Sequence, residues 1–243
     1  MISSIIKKIN SPFKWKLILG LSKIYDFNIR LVESEEELIE VYKFRYNIYV
    51  EQLQRKQKYA NHVLKTIEEP LDSTAYNIGA WKNGKLVGVV RLNTKKKGAF
   101  DYYSDLYQIN LFGDFINNSS IVTKLIVEKS YRKTPLAILL ALACYRIACK
   151  DNIEINFIDC NTYLVKYFLM LGYRYYIPDI EHPDFGKVTP LVLINQDINY
   201  LRKVKSPFVS ICQQHSFSSR ATNFYNQQFL KFHKQQLTNK LKL

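Results

Sequence analysis

Residues 121–176 read IVTKLIV (121–127), EKSYRKTP (128–135), LAILLALACYRIACKD (136–151), NIEINFIDC (152–160) and NTYLVKYFLMLGYRYY (161–176). Ile121 to Val127 is a short apolar run rich in β-branched residues, the mark of a buried strand. Pro135 opens a long apolar segment with no internal Gly or Pro, which predicts a helix carrying Pro in its first turn. Ile153 to Cys160 is a second β-branched strand. Asn161 starts another helix, Gly172 closes it, and Tyr173 to Tyr176 returns as a strand. The alternation of strands and helices predicts an α/β fold.

The order strand, basic turn, helix, strand, helix, Gly-aromatic resembles the second half of the GNAT N-acyltransferase fold. The resemblance implies a GNAT-like mixed central sheet flanked by helices, here with N- and C-terminal helical extensions. In that family the strands equivalent to 121–127 and 153–160 splay apart, and an acyl thioester lies in the V between them. Backbone N–H groups at Lys124, Leu125, Ile126 and Val127 would then meet the donor and the tetrahedral oxyanion. GNAT enzymes cradle a pyrophosphate with R/Q-x-x-G-x-G/A ahead of the helix. The matching segment is Arg132-Lys133-Thr134-Pro135-Leu136-Ala137, in which Arg132 and Ala137 fit. Pro135 replaces the first glycine and removes one N–H donor. The tyrosine that often protonates the leaving thiolate would fall at Phe168, which has no proton to give. Both departures point away from ordinary acetyl-CoA chemistry.

At 243 residues the chain suits one large domain or two small ones, and 47% apolar residues with 14% aromatic supply a sizeable core. A formal charge of +14 and a pI near 9.5 call for an anionic partner: nucleic acid, an anionic membrane or an acidic protein. Part of the excess is local, because residues 198–243 contain no Asp or Glu. Cys144, Cys149, Cys160 and Cys212 form no C-x-x-C pair and read as reduced thiols. No apolar run approaches a membrane span and no signal peptide is evident, so a cytoplasmic location is expected.

Residues 1–27 form an N-terminal extension of Ile, Leu, Phe and Trp mixed with lysines. It reads either as a helix packed on the domain edge or as a basic amphipathic segment touching a membrane or peptide. Asn28 to Val32 is a strand. Ser34 with Glu37 forms a capping box for a helix whose stripe, Leu38, Val41, Tyr42, Arg45, Ile48 and Tyr49, sets an arginine among apolar residues. Such an arginine requires a partner, because an unpaired buried charge is very costly. Glu51 to Glu69 is a lysine-rich loop or broken helix. Ala75 to Trp81 and Leu86 to Leu92 are strands joined by Lys82-Asn83-Gly84-Lys85, a hairpin signal. Residues 93–120 read as a long irregular segment.

Arg45-x-x-x-Tyr49, Glu69-x-x-Asp72 and Val87-Gly88-Val89-Val90-Arg91-Leu92 resemble the first half of acyl-homoserine-lactone synthases and the related N-acyl amino acid synthases. Arg45, Glu69, Asp72 and Arg91 match the lactone-synthase motifs, and Lys124 stands where a last arginine is expected. Ile67 and Ile121 occupy positions where that family has acids, which argues against homoserine lactone chemistry but not against acyl transfer. Downstream, His182-Pro183-Asp184-Phe185-Gly186 leads into a final strand. That part is similar to N-acyl amino acid synthases and to the GNAT-like maturases that add fatty acids to ribosomal peptides. The resemblance covers residues 28–210; residues 211–243 read as a basic helical tail, within which 215–243 is expected to be a peripheral helix.

Amide formation from a thioester needs a deprotonated amine, an acceptor for its proton, and donors for the oxyanion. Glu69 and Asp72 are the candidates to meet the amine, set against a loop end that merely caps the next strand. His182 is a candidate base, set against a turn histidine bonded to Asp184. Arg132 and Lys133 are candidates for phosphate, set against a solvated turn. Cys160 either forms an acyl-Cys or, as is commoner, is a small buried thiol. Arg45, Arg91, Cys160 and Phe168 are assigned to the substrate pocket. The expected activity is transfer of a long-chain acyl group from acyl carrier protein or coenzyme A to a free amino acid or to a Lys- or ornithine-type side chain of a peptide in lipopeptide biosynthesis. Acyl-phosphopantetheine is the co-substrate, with no permanent cofactor, no metal and no nucleic acid, and peripheral membrane contact is allowed. The competing reading is a non-catalytic basic module binding RNA or anionic membrane, which would need surface aromatics interleaved with its lysines.

Overall fold

A computed structural model describes residues 25–215 and 218–240. The readings of the N-terminal extension as a packed helix or an amphipathic segment concern residues almost all outside that range. The described strands form a mixed eight-stranded sheet flanked by helices, with a separate two-stranded ribbon. By its contacts the chain divides into two units, one drawn from the residues up to Asn93 together with Val122–Cys144, the other from Thr94–Ile121 and Tyr145 onward.

In the first unit β1 (Asn28–Leu31) pairs antiparallel with β4 (Tyr76–Lys82), and β4 with β5 (Lys85–Thr94). Between them run α1 (Glu35–Tyr46), a π-helical turn at Asn47–Gln52, the ribbon β2 (Ala60–Asn61) and β3 (Thr66–Ile67), and a 3-10 turn at Pro70–Thr74. The expected capping residue does its work: Ser34 Oγ accepts the Glu37 N–H at 3.3 Å, with Glu35, Glu36 and Glu37 in the positive first turn. The hairpin turns through Asn83 (φ 51°) and Gly84 (φ 75°), the left-handed pair that a two-residue turn demands. Val41, Tyr42, Ile48, Trp81, Leu86, Val89 and Ile126 make a core cluster. Most of β6 (Ser119–Val127) belongs here, as does the start of α2 (Leu136–Lys150). Gly88 lets α2 lie close on β5, since a Cβ there would stand 3.1 Å from Leu140 and 3.2 Å from Leu136.

In the second unit β6 begins parallel to β7 (Ile155–Asn161), pairing Ser119, Ser120 and Ile121 with Ile155, Asn156 and Phe157. β7 then pairs along seven positions with β10 (Gly186–Ile194), which also carries β8 (Arg174–Tyr175) and β9 (Ile180–His182). α3 (Val165–Leu171) ends at Gly172 with φ 111°, as the sequence predicts.

Two expectations are corrected. Residues 93–120 are not irregular throughout: β5 extends to Thr94, a single helical turn spans Tyr103–Leu106, and 3-10 structure covers Ile109–Asn118. Phe100, Tyr103, Tyr107, Ile109, Phe112 and Phe115 are buried there, so the aromatics of that segment build core. Nor is the C-terminal tail peripheral. After α4 (Ile198–Lys203), the helices α5 (Arg220–Gln228) and α6 (Leu230–Lys240) bury Ala221, Tyr225, Phe229 and His233, a fourfold-spaced stripe set among Gln, Asn and Lys. The Tyr225 hydroxyl donates to the Tyr175 carbonyl at 2.7 Å, and the Tyr175 N–H donates to His233 Nδ1 at 3.2 Å.

Candidate functional site

The first unit holds a buried ionic cluster assembled from segments far apart in sequence. Glu69 precedes the 3-10 turn that Pro70 begins, and Asp72 lies within it; the Glu69 N–H donates to Asp72 Oδ2 at 2.8 Å. This local box holds both acids at one turn. Arg45, in the last turn of α1, donates from Nη1 to both oxygens of Asp72 at 2.8 and 2.9 Å and from Nη2 to Asn77 Oδ1 at 3.0 Å. Arg91, on β5, donates from Nε to Thr123 Oγ1 at 3.0 Å and pairs with Asp72 at 3.2 Å and Glu69 at 2.7 Å. Lys124 on β6 pairs with Glu69 Oε1, and its ammonium lies 5.4 Å from the Tyr49 ring centre.

All five charged residues are at most 5% exposed. Burial alone would raise the Glu69 pKa, but Lys124 and Arg91 outweigh it and hold the carboxyl at about 2. Lys124 moves the other way: burial and the nearby arginines lower its pKa more than Glu69 raises it. The stripe arginine therefore has the partner its burial requires. Both oxygens of each acid are engaged by the cluster's own cations, three against two.

Lys124 has a second peculiarity, a φ of 54° in the middle of a strand. A side-chain-bearing residue in that region is strained, and it redirects the adjacent peptide planes away from a regular ladder. Beyond it Leu125 is half-buried, Ile126 and Val127 are buried, and a 3-10 turn at Lys129–Tyr131 follows. Arg132 Nε donates to the Val127 carbonyl at 3.1 Å, closing the strand end, while Lys133 is exposed. Thr134 Oγ1 accepts the Leu136 N–H at 3.3 Å, so a side chain caps the start of α2. Ala137 is half-buried in the first turn of that helix.

The remaining candidates lie in the second unit. His182, on β9, is buried; its Nδ1 accepts the Asp184 N–H at 3.0 Å and its Nε2 stands 3.9 Å from Asp159 Oδ2. Cys160 is a buried thiol on β7 opposite Thr189. Phe168 is buried on α3, edge-on to Tyr167 and Tyr173. Structure thus gathers Arg45, Glu69, Asp72, Arg91 and Lys124 in one place, and Arg132, Lys133 and Ala137 at one turn. It adds Asn77, Thr123 and Asp159, which the sequence reading missed. Asn77 and Thr123 were discernible only as polar residues inside apolar strands.

No protein-family model and no curated protein matches the chain. Solved structures do match. FeeM, an N-acyl amino acid synthase from uncultured soil microbes, aligns with TM-score 0.58 at 12% identity over 76% of this chain and 97% of that one. The CoA-dependent acyl-homoserine lactone synthase MesI aligns with TM-score 0.57 at 18% identity, covering 77% and 94%. The acyl-homoserine lactone synthase LasI gives 0.56 at 14% identity, covering 70% and 91%. The chain has the GNAT-like acyltransferase fold of these proteins.

Proposed function

We propose that the protein is an N-acyltransferase that moves a long-chain acyl group from an acyl-phosphopantetheine thioester to an amine. The observation that carries this reading is the left-handed backbone of Lys124 within β6, at φ 54°, anchored by an ionic cluster. A strand with its peptide planes turned out of register offers N–H groups to a ligand oxygen instead of to a neighbouring strand. The oxyanion of a tetrahedral intermediate is the ligand such donors suit. Holding Lys124 through its side chain supplies the rigidity that preorganised donors need, and Glu69, Arg91, Asp72 and Arg45 continue the restraint.

The reaction requires no enzyme nucleophile. The neutral amine attacks the thioester carbonyl, a C–N bond forms, the C–S bond breaks, and the thiolate takes up the proton that the nitrogen releases. Phe168, a buried ring with no proton to offer, leaves that proton to the substrate or solvent.

The donor is a long chain carried by acyl carrier protein or coenzyme A, and the acceptor is an amino acid or the side chain of a peptide, as in lipopeptide biosynthesis. The capped α2 start favours a single phosphate over a pyrophosphate, because Thr134 occupies one N–H and Pro135 lacks one. Arg132, Lys133 and Lys129 keep positive charge at that turn for the donor's phosphate or an acidic carrier. FeeM and MesI, by their descriptions an N-acyl amino acid synthase and a CoA-dependent acyl-homoserine lactone synthase, are consistent with this class of chemistry. The test is thiol release from acyl-CoA and acyl carrier protein, from acetyl to palmitoyl, with an amine panel and mass analysis of the product. N-acyl product from long-chain donors supports the reading; a preference for acetyl-CoA, or retention on RNA with no thioester turnover, overturns it.

A further inference from the structure

The ribbon of β2 and β3 carries a feature that acyl transfer leaves unused. Residues 62–65, His-Val-Leu-Lys, join its two strands, and all four are exposed. Val63 is 91% exposed and its neighbour Leu64 63%. A lone exposed aliphatic residue is ordinary. What sets this pair apart is how firmly it is held out.

Both ends of the loop are fastened to the first unit. His62 Nδ1 and the Tyr46 hydroxyl are 2.9 Å apart, and Tyr46, at the end of α1, is buried. Lys65 Nζ lies 3.0 Å from Glu51 Oε1 on the π-helical turn, and its φ of 52° brings the chain round into β3. Ile67 on β3 is fully buried, so the base of the ribbon is set in the core. Between these fastenings Asn61 Oδ1 accepts the N–H groups of Val63 and Leu64 at 3.0 and 2.9 Å. An amide that enters an apolar medium without a partner is costly to desolvate. At this tip the Asn61 side chain has already replaced water on both donors.

Charge narrows the choice of occupant. Residues 52–67 contain Arg55, Lys56, Lys58 and Lys65 and no Asp or Glu. Lys56 and Lys58 are exposed, and Lys58 Nζ lies 5.0 Å from the ring centre of half-buried Tyr59, just before β2. A protein partner matches poorly, since a specific interface buries about 800 Å² on each side, far more than two aliphatic side chains present. A bilayer asks for no complementary shape. It accepts a few apolar groups below the headgroups and holds cations at the phosphates.

We propose that the β2–β3 tip docks on an anionic phospholipid bilayer, with Val63 and Leu64 entering the acyl region and Lys56, Lys58 and Lys65 meeting the phosphates. This contact does not rest on the acyl-transfer reading, and vesicle binding is measured without turnover.

The experiment is flotation of the full chain with vesicles of phosphatidylcholine alone or mixed with phosphatidylglycerol. The wild type floats with the mixed vesicles, and added salt reduces the bound fraction. Val63→Ser with Leu64→Ser weakens that binding by about tenfold or more at unchanged melting temperature, because both side chains lie in water in the free protein. Lys56→Ser with Lys58→Ser weakens it as salt does. Leu64→Trp adds a fluorescence that lipid brominated in its acyl chains quenches, which places the tip below the headgroups. Should the double serine variant melt lower, this quenching carries the decision. The proposal is overturned if the wild type does not float with mixed vesicles, or if brominated lipid leaves the added fluorescence unchanged. A smaller loss in a double serine variant of wild-type melting temperature also overturns it, since binding then lies elsewhere in the chain. A wild-type dimer that the same variant dissociates assigns the tip to a second copy and overturns it too.

Discussion

At the scale of single residues, the ionic cluster and His233 each leave a separable signature. Asp72 accepts hydrogen bonds from Arg45, Arg91 and the Glu69 N–H, with its side chain 1% exposed. Removing one member of such a group strands buried charge, so Asp72→Asn should lower unfolding free energy by about 3–5 kcal/mol, measured by urea denaturation at neutral pH. Retention of wild-type stability would show that water reaches the cluster. Glu69, held at about 2 against an ordinary 4.5, contributes stability that is present above pH 4.5 and disappears as pH falls toward 2. His233 is depressed from 6.5 to about 4, by burial and then by Arg174 and Lys203. The unfolded chain takes up that proton first, so His233 makes stability fall as pH drops from 6.5 to 4. His233→Gln should flatten the melting-temperature profile in the upper window, and Glu69→Gln in the lower.

At the scale of elements, the C-terminal helices and the β6–α2 turn make opposite predictions. Deleting α5 and α6 uncovers Tyr175 and removes the partners of its N–H and carbonyl. The truncated chain should therefore aggregate or melt many degrees lower; a soluble product of unchanged melting temperature would restore the tail to the periphery. The turn, by contrast, is exposed at Lys129 and Lys133 and tolerates charge reversal structurally. Lys129→Glu with Lys133→Glu should slow turnover with acyl carrier protein far more than with a short pantetheine thioester. Added salt should reproduce the effect in the wild type. An acyl-CoA rate that matches the carrier-protein rate and ignores salt would identify coenzyme A as the donor. The glycine-to-proline departure at Pro135 was legible in sequence, but that Thr134 caps the helix instead emerged only from the fold.

At the scale of the whole molecule, the +14 charge and the proposed long-chain donor predict two trends. Each additional buried CH2 contributes about 0.8 kcal/mol, so donor affinity should rise about fourfold per carbon until the binding region is filled. A flat profile from acetyl upward would contradict the long-chain reading. The basic character also separates enzyme from binding module, since heparin retention with no thioester binding would favour the latter. Buried aromatics weigh on the enzyme side, because Phe112, Phe157, Tyr176 and Phe229 form a packed ring system and not an exposed stacking platform.

Local patterns carried the elements. β-branched runs, the Ser34 cap, the Asn83-Gly84 turn and the Gly172 stop each act within a few residues, so their spacing in the chain specifies strand, helix or turn directly. The order of those elements was enough to anticipate the GNAT-like mixed sheet, and the motif resemblance brought Arg45, Glu69, Asp72 and Arg91 forward as candidates. Their pairing was another matter. Which cation meets which acid depends on contacts spanning from 19 residues (Arg91 to Asp72) to 55 (Lys124 to Glu69). Only packing sets those distances, and only burial turns a solvated charge into one that must be matched. The same reason hid Asp159, a single acid in an apolar strand until His182 folds back beside it. It also hid the C-terminal stripe, whose apolar residues are too sparse to register as core until β8 lies against them.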